Sequence, residues 1–165
     1  MKRFLVILGL IFIFFVAEFV LFNVFGLWAT PNLLLLLVIF FSVFTERVYA
    51  LFSAVCAGIF MDAFDIDNFG EYIFAFLVCF YITVLLRRFI FHSLSLLPQL
   101  LLVSLVCFVD FLVHFILRSH LINSIEGQQL VCIIKDIFLP RLGVTLIVTS
   151  FVFKWLKRCV SGLFV

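Results

Sequence analysis

The stretch TPNLLLLLVIFFSVFTERVY, Thr30 to Tyr49, decides how many times this chain turns. Thr30-Pro31 reads as a helix start, because threonine can cap a helix and proline is tolerated at its first position. The apolar run that follows, Pro31 to Phe44, is about 21 Å long at 1.5 Å per residue. Thr45-Glu46-Arg47 interrupts it, and a second apolar run follows from Val48 to Phe64. The two runs together are too long for one membrane crossing and barely enough for two. The expected arrangement is two short helices joined by a tight turn at Glu46-Arg47, with a re-entrant first segment as the alternative.

Composition makes lipid the expected solvent. Of 165 residues, 67% are hydrophobic, only 12% are charged and 26 are Phe. The mean hydropathy is +1.42. A soluble domain is about half apolar and a quarter charged, so this chain has too few polar side chains to cover a water-facing surface. The expectation is an all-α integral membrane protein, a bundle of six transmembrane helices in a single polytopic domain over 1–165. The spans read as about 4–22, 31–44, 48–64, 72–90, 96–117 and 134–156. Pro140 either kinks the last span or sits in its first turn. The run from Phe4 onward is longer than a signal core and contains Glu18, so it reads as a retained first helix.

Charge placement agrees with that count. With both termini cytoplasmic, the inner segments hold Lys2, Arg3, Arg47, Arg87, Arg88, Lys154, Lys157 and Arg158, and the outer ones Arg118, Lys135 and Arg141. The acids cluster instead in the outer loop CAGIFMDAFDIDNFGEY, Cys56 to Tyr72, with Asp62, Asp65, Asp67 and Glu71. Asp65-x-Asp67-x-x-Gly70 is not a calcium loop, since Phe69 and Phe76 occupy the fifth and twelfth positions. Asp65, Asp67 and Asn68 read as loop formers. Gly70 is expected in a left-handed or close-packed conformation, and Glu71 in the first turn of the next helix. Asp62 ends a face of small residues four apart, Ala50, Ala54 and Gly58, which lets helices approach closely within the chain or between chains.

Three further polar groups fall inside spans: Glu18, Asp110 and His114. Asp110, His114 and Arg118 lie four apart on one face, so Asp110 can accept a hydrogen bond from His114. Intramembrane ionisable groups face protein or water rather than lipid. A proton relay is one reading of the set, and polar contacts between helices are the preferred one. The five cysteines form no C-x-x-C pair and read as small buried hydrophobes. No phosphate loop, nucleophile motif or metal cluster is evident, so neither enzyme nor cofactor is expected.

Pro31-Asn32 before a leucine run, Gly58-x-x-x-Asp62 closing a helix, Phe69-Gly70-x-Tyr72 and the Arg87-Arg88 pair occur in an order that resembles the rod-shape-determining MreD family of bacteria. The match covers about Pro31 to Arg88. The chain departs from that family in its more acidic loop, in Ala57 before Gly58 and in phenylalanine replacing much of the leucine. The resemblance implies a non-enzymatic scaffold of the cell-elongation complex in the bacterial inner membrane. It would bind the bitopic protein MreC and, through the complex, wall synthases and the MreB filament, without nucleic acid. It implies that the Ala50–Ala54–Gly58–Asp62 face and the Gly70 loop are candidate contacts for a partner's helix. It also implies a fold resembling the substrate-binding subunits of energy-coupling-factor vitamin transporters. Such a subunit is the alternative function. Gly9 and Ala17, eight apart, depart from the Ala-x-x-x-Ala docking motif those subunits carry in their first span.

Overall fold

The computed structural model describes residues 2–26, 30–64, 70–90, 96–119 and 138–164. Among them the chain is all helical: α1 (Lys2–Phe25), α2 (Leu33–Phe44), α3 (Arg47–Asp62), α4 (Glu71–Ile90), α5 (Leu96–Ser119) and α6 (Leu139–Phe164). Three of these, over Arg3–Val24, Leu97–Leu117 and Leu139–Arg158, are long and apolar enough to cross a membrane. Their outer faces carry large apolar side chains such as Leu5, Ile13, Leu97, Leu101, Ile147 and Phe151, all more than half exposed. That is the surface expected of a membrane protein.

The shortest helix is the centre. α2 packs against every other helix, and Leu34 through Ile39 are 0% exposed. Its sequence is apolar all round, as a helix without a solvent face must be. At twelve residues it rises only about 18 Å, so its ends lie short of the longer helices around it. The sheath runs α1–α3–α4–α5–α6 through successive neighbours.

Paired contacts set the directions. Phe4 meets Tyr49 and Phe52, and Phe15 meets Phe60 and Phe64, so α1 and α3 run parallel. Asn32 meets Thr145 and Phe40 meets Phe153, so α2 and α6 run parallel. Asp62 meets Tyr72, while Glu71 meets His114 and Cys79 meets Val106; α4 therefore opposes both α3 and α5. The chain thus alternates in direction from helix to helix. Its many phenylalanines serve these contacts, with ring centroids 4.9 Å apart in the closest α1–α3 pair and 5.6 Å in the closest α2–α6 pair, favourable aromatic distances.

Several boundaries differ from the sequence reading. α1 continues through Asn23, whose amide donates to the Phe19 carbonyl at 3.0 Å, and stops where Gly26 takes φ +73°. Left-handed glycine just past the last turn is a common helix stop. α2 begins two residues after Pro31. Asn32, not Thr30, is its cap, and the Thr30 hydroxyl instead donates to the Gly26 carbonyl. Pro140 sits in the first turn of α6, which runs past Leu156 to Phe164, with no Gly or Pro between Leu156 and Gly162 to stop it. The expected start at 134 lies outside the described residues, as do Asp65 and Asp67.

The face Ala50–Ala54–Gly58–Asp62 is buried inside the chain, with Ala50, Ala54 and Asp62 no more than 1% exposed. It packs the chain's own helices and is not open to a partner's. At Gly58 a side chain has no room: a Cβ would come within 2.5 Å of the Ile73 Cα and 2.9 Å of its nitrogen. Backbone of α4 cannot yield as a flexible side chain can. Gly58→Ala is therefore expected to cost about 1–3 kcal/mol by overpacking. Gly58→Leu should prevent the α3–α4 approach altogether. A detergent melt of Gly58→Ala at the wild-type temperature would count against this contact.

Candidate functional site

The buried carboxyl side chains, Glu18, Asp62, Glu71 and Asp110, gather at one end of the bundle, around the first turns of α2 and α4. A helix leaves four N–H groups at its start without intrahelical partners, and in an apolar surround each unpaired one costs free energy. In α2 all four are met. The Asn32 N–H donates to Thr145 Oγ1 of α6 at 3.4 Å. The Leu33 N–H turns back to the Pro31 carbonyl at 3.0 Å. The Leu34 N–H donates to Glu18 Oε2 of α1 at 3.0 Å. The Leu35 N–H donates to Asn32 Oδ1 at 3.1 Å. Pro31, which has no N–H, adds no further donor.

Asn32 does more than cap α2. Its Oδ1 caps α2, and its Nδ2 donates to Asp110 Oδ2 of α5 at 3.3 Å. One side chain thus joins two helices, while its backbone joins a third. Asp110 is 8% exposed, and its other oxygen accepts from the Cys79 thiol of α4 at 4.0 Å. Glu18 is 6% exposed and faces protein. Its Oε1 lies 3.9 Å from Arg141 Nη2 of α6. A carboxyl group at a helix N-terminus also meets the positive end of the helix dipole.

The second joint lies between α3 and α4. Asp62 Oδ1 accepts the Tyr72 N–H at 2.9 Å and Oδ2 accepts the Ile73 N–H at 3.1 Å. These donors lie in the first turn of α4, where an N-cap side chain normally serves. The residue before α4 is Gly70, at φ +102° and without a side chain; its carbonyl accepts from Phe74. Asp62 supplies the cap from the end of the preceding helix. Gly70 has the left-handed conformation expected of it. Glu71, in the same turn, is hydrogen bonded to His114 Nδ1 at 2.6 Å.

Asp110 and His114 do not form the expected hydrogen bond. His114 Nε2 stands 3.6 Å from Asp110 Oδ1, beyond hydrogen-bond range. The imidazole is held instead by Glu71 and by the Tyr72 ring, 4.8 Å from it, because α4 packs closely there. The Arg118 side chain lies outside the described residues. Thr145 and Arg141 are the participants that the sequence did not point to. More than a hundred residues separate Asn32 from Thr145, and no spacing in the chain links them.

The opposite end of α2 is met by cations. Arg87 Nη1 donates to the Ser42 carbonyl at 3.4 Å, and Lys157 Nζ stands 4.6 Å from the Phe44 ring centre. Cations favour a helix C-terminus. Buried hydroxyls of Ser42, Ser53, Thr83 and Thr149 donate to carbonyls of their own helices.

Among the described residues no three His, Cys, Asp or Glu side chains are placed to hold a metal ion. Cys79 and Cys107 are buried free thiols, and the two nitrogens of His114 face the carboxyl groups of Glu71 and Asp110. What the arrangement does chemically is satisfy and join helix ends. No family model, curated protein or solved structure matches the chain.

Substitutions separate these contacts. Glu18→Ala leaves the Leu34 N–H unpaired and should cost about 1–3 kcal/mol. Glu18→Gln keeps an acceptor and should cost less. Asn32→Ala should cost at least the usual cap loss of about 1 kcal/mol. Because Glu18 and Asn32 serve one turn, their double substitution should be non-additive by about 0.5 kcal/mol or more, read from reversible unfolding in mixed micelles. Asp62→Ala should destabilise the protein by a similar amount without preventing membrane insertion; an unchanged melt would remove Asp62 from the α4 cap.

Proposed function

We propose that this chain is a non-enzymatic scaffold of the MreD kind in the bacterial inner membrane. It crosses the membrane six times, with both termini cytoplasmic and a bundle like that of energy-coupling-factor substrate-binding subunits. It binds an MreC-like bitopic protein and, through that complex, wall synthases and an MreB-like filament.

One observation carries the reading. The polar motif residues behind the resemblance are joints: Asn32 ties α2 to α5 and α6, Gly58 lets α4 approach, and Asp62 with Gly70 starts α4. The carboxyl groups at this depth are engaged in holding helix ends. That is how a rigid docking body uses them. Orientation rests on the alternating helices. Their directions place Arg3, Arg47, Arg87, Lys154, Lys157 and Arg158 at one end of the bundle, and basic segments stay cytoplasmic.

The test is purification from the native membrane in mild detergent, followed by mass spectrometry. Recovery of a single-span MreC-like protein with wall synthases is the expected result. Recovery of two ATPases and a polytopic coupling protein would overturn it in favour of a vitamin-transporter subunit.

A further inference from the structure

The proposed function requires a surface for a single-span partner, and the small-residue face of α3 is not that surface, being buried within the chain. The sheath around α2 has one weak join. α1 packs on α2 and α3, and α6 packs on α5 and α2, but α1 and α6 do not pack closely on one another. Side chains bridge the gap at two levels. Phe14 and Trp155 stand 6.2 Å apart between ring centres, and Glu18 meets Arg141 further along. Arg141, Val148 and Trp155 are seven apart and line this edge of α6 for about 21 Å. That is the length of a helix contact, longer than a headgroup.

Arg141 is the unusual member. Its side chain is 37% exposed, yet it is drawn toward Glu18, seven residues before the end of α1 and thus about 10 Å below it. At the other end of this edge the apolar Trp155 is 43% exposed. A guanidinium has five N–H donors. Among the described residues the nearest carboxyl oxygen is that of Glu18 at 3.9 Å, too far for a hydrogen bond. A cation at this depth needs an acceptor.

We infer that the α1–α6 seam docks one transmembrane helix of a partner, which presents a carboxylate or side-chain amide to Arg141. This rests on the scaffold reading and gives it a surface. The apolar seam supplies packing along the helix. Arg141 supplies register, since an acceptor on an apolar helix can satisfy it at one level only.

The test places the photo-crosslinking residue p-benzoylphenylalanine at Val144 or Val148, beside the seam, and at Phe74 or Tyr81 on the exposed face of α4. It is done in cells with the full-length chain. The expected result is a crosslink to the co-purifying single-span protein from the seam positions and little from α4. Arg141→Gln should lower recovery of that protein about tenfold, with Arg141→Lys partly restoring it, whereas Glu18→Gln, which weakens the same α2 joint but keeps the guanidinium, should leave recovery within about twofold of wild type. If the single-span protein co-purifies but crosslinks only from α4, the seam assignment is overturned and the scaffold reading stands. Phospholipid adducts alone at the seam, with the complex intact, also overturn the seam. If no single-span protein co-purifies, both proposals fall.

Discussion

The structure depends on one requirement: the first turn of α2 starts inside the protein, away from water, and its four N–H groups must all find acceptors. Each unpaired donor would cost about 1–3 kcal/mol, and several together would exceed what packing of a twelve-residue helix can offset. The chain meets this with acceptors from two other helices, besides the Asn32 cap and the Pro31 carbonyl, and a third helix holds the cap. Glu18 comes from α1, Thr145 from α6, and Asp110 of α5 holds the capping amide in place. The same contacts that make α2 possible therefore fix how α1, α5 and α6 surround it. Between helices in lipid, apolar burial gives little net drive, and packing with hydrogen bonds must decide the arrangement.

The α3–α4 joint repeats the principle with different parts. Gly70 gives the backbone its left-handed entry but has no side chain to cap with, so Asp62 reaches across from the end of α3. That works only because Gly58 lets the two backbones come close. The two joints lie at the same end of the bundle, with His114 between them, hydrogen bonded to Glu71 and 3.6 Å from Asp110. At the far end Arg87 and Lys157 complement the C-terminus of α2. A bundle pinned in this way is a firm body on which another helix can dock, which is what the scaffold reading asks of it.

Much of the helical layout was legible in the sequence, because apolar run length and glycine or proline punctuation are local signals. The small-residue face of α3 was legible for the same reason, as was Gly70. The cap of α2 was displaced from Thr30 to Asn32, since the choice between them depends on Asp110, a partner 78 residues away. The central position of α2 was also hidden: an all-apolar segment reads alike whether it faces lipid or protein. His114 was paired with Asp110 by helical spacing, whereas Glu71 on the neighbouring helix lies nearer. Spacing within one helix cannot report what the next helix brings.

The central claim is that the first turn of α2 is closed by hydrogen bonds within the protein. Amide hydrogen exchange at Leu34 and Leu35, measured on the purified protein in micelles or nanodiscs, tests it most directly. Exchange there should be as slow as in the middle of α2, and Glu18→Ala should accelerate it while leaving the first turn of α4 protected. Fast exchange at Leu34 and Leu35 in the wild-type protein, as at an open helix terminus, would contradict the account.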